Sequence, residues 1–240
     1  MVENIYIIRH GESVGNVNKA IYKSVPDHAV NLTDKGIVQC ETAGEILSKF
    51  ILSSKFNETN ELGIYYSPFV RTIQTTNVIL KKLKESGLSP KFVYENALIR
   101  EQEWQSRFGE ESTMSLTGLN SNVMKDRINF GIFFYRFDSG ESCADVYDRC
   151  KSFINEINFN SKSLPRNLIV VTHGMTMRVL LMAMCNKTVK EFESWNKPDN
   201  CEIWKVQRRC DGDCNVEFVF DFDKIKNRVV KHTHQIDLKY

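Results

Sequence analysis

Four short clusters carry residue types that together suit phosphoryl-group chemistry. They are Arg9-His10-Gly11-Glu12-Ser13 with Asn16 just beyond, Ser67-Pro68 leading to Arg71, Arg100-Glu101, and Thr172-His173-Gly174. Cleaving a phosphate monoester without a metal needs fixed positive charge and hydrogen-bond donors around the equatorial oxygens of the transferring group. Arginine supplies both, since its planar guanidinium grips two oxygens and stays charged. Arg9 and Arg71 are the candidates, assisted by the Asn16 amide and the His173 imidazole. A neutral imidazole is nucleophilic near pH 7 without strong activation, which suits His10 as the transient phosphoryl carrier. A carboxylic acid must protonate the leaving oxygen and later take a proton from water, and Glu101 suits that role. Singly, each residue has a mundane reading as a strand-end imidazole, a solvated helix arginine or a member of an acidic run. The joint pattern argues for function: two segments end in RHG and THG, and a helix after a third opens with SPFVRTIQT.

Those residues need rigid supports, and the hydrophobic pattern provides them. NIYIIRH, LGIYYSP, KFVYENALIRE and NLIVVTHG read as strands. Between and around them, LTDKGIVQCETAGEILSKFILSS has helical spacing at Ile37, Cys40, Ala43, Ile46, Leu47 and Phe50, with Thr33 as its N-cap. VRTIQTTNVILKKLKESG, ESCADVYDRCKSFINEI and MTMRVLLMAMC are further helices, and CEIWKVQRRCDGDCNVEFVFD reads as a hairpin turning at Asp211-Gly212. Alternating strands and helices predict an α/β fold with a mainly parallel sheet covered on both faces. In such sheets ligands gather beyond the carboxyl ends of the strands, where the four clusters fall.

Composition sets the outer limits. A chain of 240 residues with 42% hydrophobic and 26% charged residues suits one well-cored domain. We place it at 1–226, with 102–142 as an irregular insertion over the cleft and 227–240 as a basic tail containing His232 and His234. A net charge of +2 gives nucleic-acid binding no support. The seven scattered cysteines, with only Cys210 and Cys214 close together, favour reduced thiols over a zinc site. No apolar run approaches a membrane span or a signal-peptide core, so a soluble cytoplasmic protein with no membrane partner is expected. An exposed edge at CEIWKVQRR would let two copies pair as a homodimer.

With these residues assembled, the chain resembles the histidine phosphatase superfamily, the phosphoglycerate-mutase-like group. RHGES with Asn16, the LT, G and Q of LTDKGIVQ, SPFVRTIQT, IRE, GES at 140–142 and THG occur in that family's order from about residue 3 to 206. The resemblance implies a three-layer α/β/α sandwich, His10 as phospho-acceptor, Arg9, Arg71, Asn16 and His173 around the phosphate, Glu101 as proton donor, and no metal. SVPDHAVNLT and GIFFYRFDSGESCADVYDR are similar to a branch found in plants, fungi and protists, which says little about substrate.

Two positions depart from the family. Gln105 stands where a glycine is common, and Gln102 follows the acid where cofactor-dependent mutases often carry arginine. The expected activity is therefore hydrolysis of a small phosphomonoester without cofactor. The alternatives are a mutase, which would use 2,3-bisphosphoglycerate, and a phosphate-binding protein without turnover. Arg100, Arg107 and Arg136 are candidate contacts for an acidic substrate, although a salt-linked surface arginine is the more ordinary reading of each. Trp104, three residues past the acid, is the aromatic expected to meet the leaving group. Phe133 and Phe134 are assigned to core packing.

Overall fold

The computed structural model describes residues 2–53, 61–104, 121–208 and 214–220. Strands β1 (Asn4–Arg9) and β4 (Asn167–Thr172) are buried along their whole length, as uninterrupted apolar runs with cover on both faces must be. They pair in parallel, Asn4 against Asn167 through Arg9 against Thr172. Strand β2 (Leu62–Tyr66) lies parallel on the other side of β4, and β3 (Val93–Glu95) parallel beyond it. The hairpin of β5 (Ile203–Arg208) and β6 (Cys214–Phe220) completes a six-stranded sheet in the order β3-β2-β4-β1-β5-β6.

Alternation along each strand divides the core in two. Ile5, Ile7, Leu168, Val170 and Val206 face helices α5 (Cys143–Phe159) and α6 (Gly174–Met184), with Phe153 and Phe192 among the fully buried side chains. The one-turn helix α1 (Val14–Val17) follows β1, and Tyr6, Ile8, Ile64, Ile169, Val171 and Ile203 face α2 (Asp34–Ser53) and α3 (Val70–Glu85). The architecture is thus the three-layer α/β/α sandwich with a mainly parallel sheet.

Helix ends follow the expected chemistry. The Thr33 hydroxyl accepts from the Gly36 N–H at 3.0 Å at the start of α2. Gly87 closes α3 with φ +79°, a left-handed conformation that favours glycine. Ile37 departs from its expected burial and is 41% exposed. The cause is a close approach: a Cβ on Gly36 would stand 2.1 Å from the Glu12 carbonyl oxygen, and one on Gly11 2.6 Å from that of Gly36. Gly36 must therefore face inward, which turns its neighbour outward.

Three other expectations change. KFVYENALIRE is strand only at Val93–Glu95, because the Asn96 side chain accepts from Leu98 N–H at 2.9 Å and starts a 3-10 turn at Ala97–Ile99. Arg100 and Glu101 consequently lie on a coil segment five residues past the strand. The CEIWKVQRR strand offers no edge, since β5 lies between β1 and β6. Phe133 is in the core but Phe134 is 57% exposed. The Asp211-Gly212 turn and the 227–240 tail lie outside the described residues. No described helix is long and apolar enough to cross a membrane.

Ile169 is fully buried in the central strand pair and Ile128 is an exposed residue. Ile169→Ala is expected to cost about 2–5 kcal/mol in urea unfolding, against within ~0.5 kcal/mol for Ile128→Ala.

Candidate active site

The carboxyl ends of β1, β4 and β2 open into one cleft of about 380 Å³. Arg9, His10, Asn16, Arg71, Glu101 and Trp104 line it, so six of the residues picked from the sequence meet in one place. His173 lies fully buried beside them, its ring centroid 5.3 Å from that of His10.

His10 is held by its own turn. Its Nδ1 is 2.7 Å from the Gly11 carbonyl oxygen, which can only accept, so Nδ1 carries the proton and Nε2 keeps its lone pair. Burial pushes the imidazole well below its ordinary pKa, and the cations Arg71 and Arg9 push it the same way. The ring is therefore neutral at pH 7. Burial and then Arg71 hold His173 neutral in the same manner. Its Nε2 lies 2.7 Å from Ser67 Oγ. With the hydroxyl donating there, His173 Nδ1 carries a proton, and that buried nitrogen has no partner.

The arginines are fixed by backbone. Arg9 donates through Nη1 to the Pro198 carbonyl at 2.7 Å, while its buried Nε is unpartnered. The same 197–202 segment carries Asn200, whose amide donates to the His10 carbonyl and to Asn16 Oδ1, each at 3.1 Å. Asn16 Oδ1 also accepts from Ser13 N–H at 2.9 Å, which leaves the Asn16 NH2 for the cleft. Arg71, on the first turn of α3, pairs with Asp27 at 3.0 Å and stacks on Phe69 with its guanidinium carbon 4.8 Å from the ring centre. Burying donors without partners costs free energy, and an oxyanion between Arg9, Arg71, Asn16 and His173 would satisfy them together.

Glu101 stands at the N-terminus of α6, its Oε1 accepting from Thr176 N–H at 3.3 Å and Gln102 N–H at 3.0 Å. The segment that carries it is clamped from α5. Arg149 donates to the Leu98, Arg100 and Glu101 carbonyls at 2.7, 2.8 and 3.1 Å, and binds both carboxylate oxygens of Glu141. Arg100, a candidate substrate contact, instead completes this network on Glu141 at 2.5 Å and does not line the cleft. Arg136 likewise pairs with Asp145, away from the cleft. Both carboxylates lie on or next to α5, where the fold offers these arginines a nearer anion than any substrate. Arg107 and Gln105 lie outside the described residues. Gln102 is buried, donating to the Glu141 carbonyl at 2.8 Å.

Several cleft residues were not picked from the sequence: Lys19, Asp27, Arg127, Arg178 and Lys197. Asp27 falls in the quoted SVPDHAV stretch and Arg178 four residues after THG, but neither position had a chemical signal of its own. Burial brings the Lys197 ammonium down to about 8. Tyr22, an aromatic of unassigned role, lines the mouth, its hydroxyl pushed up by burial and by Asp27. Among the described residues no three His, Cys, Asp or Glu side chains are grouped to hold a metal ion.

A family model described as the histidine phosphatase superfamily (branch 1) matches residues 5–220. The chain belongs to this superfamily. Within it, the chain is 36% identical over 219 residues to the phosphoglycerate mutase-like protein AT74 of Arabidopsis thaliana, covering 88% of this chain and 66% of that one. It thus spans just under two thirds of that relative's length. It is 29% identical to the broad-range acid phosphatase DET1 of Saccharomyces cerevisiae, covering 85% and 84% of the two chains. Among solved structures, mycobacterial glucosyl-3-phosphoglycerate phosphatase with VO3 superposes with a TM-score of 0.66 over 92% of this chain and 99% of that one. At 18% identity that likeness concerns the fold alone.

The neutral state of the two cleft imidazoles can be read directly. In a histidine Cε1 NMR titration from about pH 8 to 5, two of the five histidines should show no protonation near the ordinary value of ~6.5. Their folded pKa values lie below the unfolded ones. Stability is therefore untouched above pH ~6.5 and falls as the unfolded chain takes up protons below it.

Proposed function

We propose that this protein is a phosphomonoesterase that works through a phosphohistidine at His10. The observation that carries the reading is the 2.7 Å contact of His10 Nδ1 with the Gly11 carbonyl oxygen. It leaves an unprotonated Nε2 on a fixed ring in a cleft lined by Arg9 and Arg71.

The ester phosphate settles between Arg9, Arg71, Asn16 and the free N–H of His173. Nε2 of His10 attacks phosphorus in line, the bond to the ester oxygen breaks, and Glu101 gives that oxygen a proton. The alcohol departs. Glu101, now a carboxylate, takes a proton from water as its oxygen attacks phosphorus, which breaks the N–P bond and restores His10. The donors face the same oxyanion in both steps, so stabilisation of its charge requires no rearrangement. The acid phosphatase among the relatives supports hydrolysis as the outcome. A mutase would return the phosphoryl group to a second hydroxyl in place of water.

One assay series tests this. With p-nitrophenyl phosphate in EDTA, phosphate release should fall roughly a thousandfold or more in His10→Ala. Hydrolysis that survives the substitution sinks the mechanism. Conversion of 3- to 2-phosphoglycerate dependent on 2,3-bisphosphoglycerate, with little release, would make the protein a mutase.

The clamp on Glu101 makes a separate prediction. Arg149→Met should slow hydrolysis of alkyl phosphates by about 10–100-fold, because their leaving oxygens need a proton in the transition state. It should slow p-nitrophenyl phosphate much less, since nitrophenolate leaves unaided. Equal losses on both would mean that Arg149 does not act through the acid.

A further inference from the structure

We propose that the cleft holds a second anion subsite, built on Arg127 and Arg178, that selects phosphomonoesters whose alcohol portion carries another oxyanion. The proposal rests on the phosphatase reading and adds the class of substrate.

The cations of the cleft fall into two groups. Arg9, Arg71 and Lys197 act on His10, and Lys19 belongs with them, since Arg9 and Arg71 act on it. Arg127, through its charge and a hydrogen bond, and Arg178, through its charge, act instead on the Cys143 thiol, which burial nonetheless pushes up to about 11. Helix α4 (Ser121–Phe130) supplies Arg127 and α6 supplies Arg178. Glu101 lines the same cleft and acts both on Arg9, of the first group, and on Cys143, beside the second. A proton donor belongs there, between the phosphoryl group and what leaves it.

Arg127 is 5% exposed, lines the cleft, and has two buried donors, Nε and Nη2, without partners. Its guanidinium carbon lies 4.9 Å from the Trp104 ring centre and 5.5 Å from that of Phe137. Those faces favour the cation but accept none of its in-plane N–H bonds. Arg178 donates through Nη2 to the Phe192 carbonyl at 2.7 Å and has a buried, unpartnered Nε. Glu193, whose charge reaches Arg178, already accepts from Phe133 N–H at 3.0 Å. Among the described residues neither arginine has a carboxylate in ion-pair contact. Buried arginines are ordinarily paired, and a planar fork with free donors matches a carboxylate or phosphate. Trp104, Ile132 and Met175 give the cleft apolar wall for the spacer that joins the two anions. The expected aromatic Trp104 thus meets the substrate beside an arginine that no sequence motif marked.

The test compares kcat/KM for 4-carboxyphenyl phosphate with that for its neutral isostere, 4-carbamoylphenyl phosphate, and adds 1,4-phenylene bisphosphate as a phosphate arm. The carboxylate should be preferred about tenfold or more, and Arg127→Met should bring the ratio to about one, with Arg127→Lys between. Whichever anionic arm gains more names the second group. A ratio near one in the parent protein, or one that persists in Arg127→Met, overturns the subsite. If no ester is hydrolysed, the phosphatase reading fails separately. Calorimetric binding of the carboxylate and carboxamide esters to the His10→Ala protein then decides the subsite by the same ratio, again with and without Arg127→Met.

Discussion

The interaction on which the rest depends is the unbalanced positive charge collected beyond the carboxyl ends of three parallel strands. Arg9, Arg71, Arg127, Arg178, Lys19 and Lys197 meet in a cleft that also contains Asp27 and Glu101. Several of their donors are buried and unpaired. Such an arrangement costs stability and is tolerated because two continuous apolar cores flank the sheet. Burial first, and then the same charge, holds two adjacent imidazoles neutral, so one arrangement prepares both the anion pocket and the proposed nucleophile.

Charge alone does not give geometry. Each candidate site residue is held by a neighbour with no other evident task at the cleft: the Gly11 carbonyl for His10, Ser67 for His173, Pro198 for Arg9, and the Glu141–Arg149 pair for the segment bearing Glu101. The last is a buried ion pair whose arginine also donates to three backbone carbonyls. A buried pair of this kind adds little net stability compared with apolar packing, so its value lies in the position it enforces. Asp27 has a comparable place opposite Arg71, occupying the guanidinium that an oxyanion would engage.

The residues legible in the sequence and those that were not differ in kind. RHG and THG stand out because an apolar run that stops at a cation and an imidazole is rare without a reason, and both runs are central strands of the sheet. Arg71 was legible through its distance from the end of β2. Arg100 and Arg136 had the right charge in the right region. They face Glu141 and Asp145 instead, because a fixed carboxylate within reach outcompetes solvent as a partner. Lys197 comes from the segment that returns to β1 from the far end of the chain, and Arg127 from a helix with no strand exit near it.

The sequence by itself determined the alternation of strands and helices, the two-sided burial of β1 and β4, the capping of α2 at Thr33, and which arginine, imidazole and amide side chains of the strand ends would be candidates for one cleft. These follow from local patterns, in which hydrophobic period and strand ends are read within a dozen residues. Only the tertiary structure decided which arginines face the cleft, where Glu101 stands, that β5 is interior, and that Ile37 turns outward. Each of those depends on a partner distant in the chain, Glu141 for Arg100, α5 for Glu101, β1 for β5 and the Glu12 carbonyl for Gly36. No local periodicity encodes which long-range partner a charged or small residue will meet.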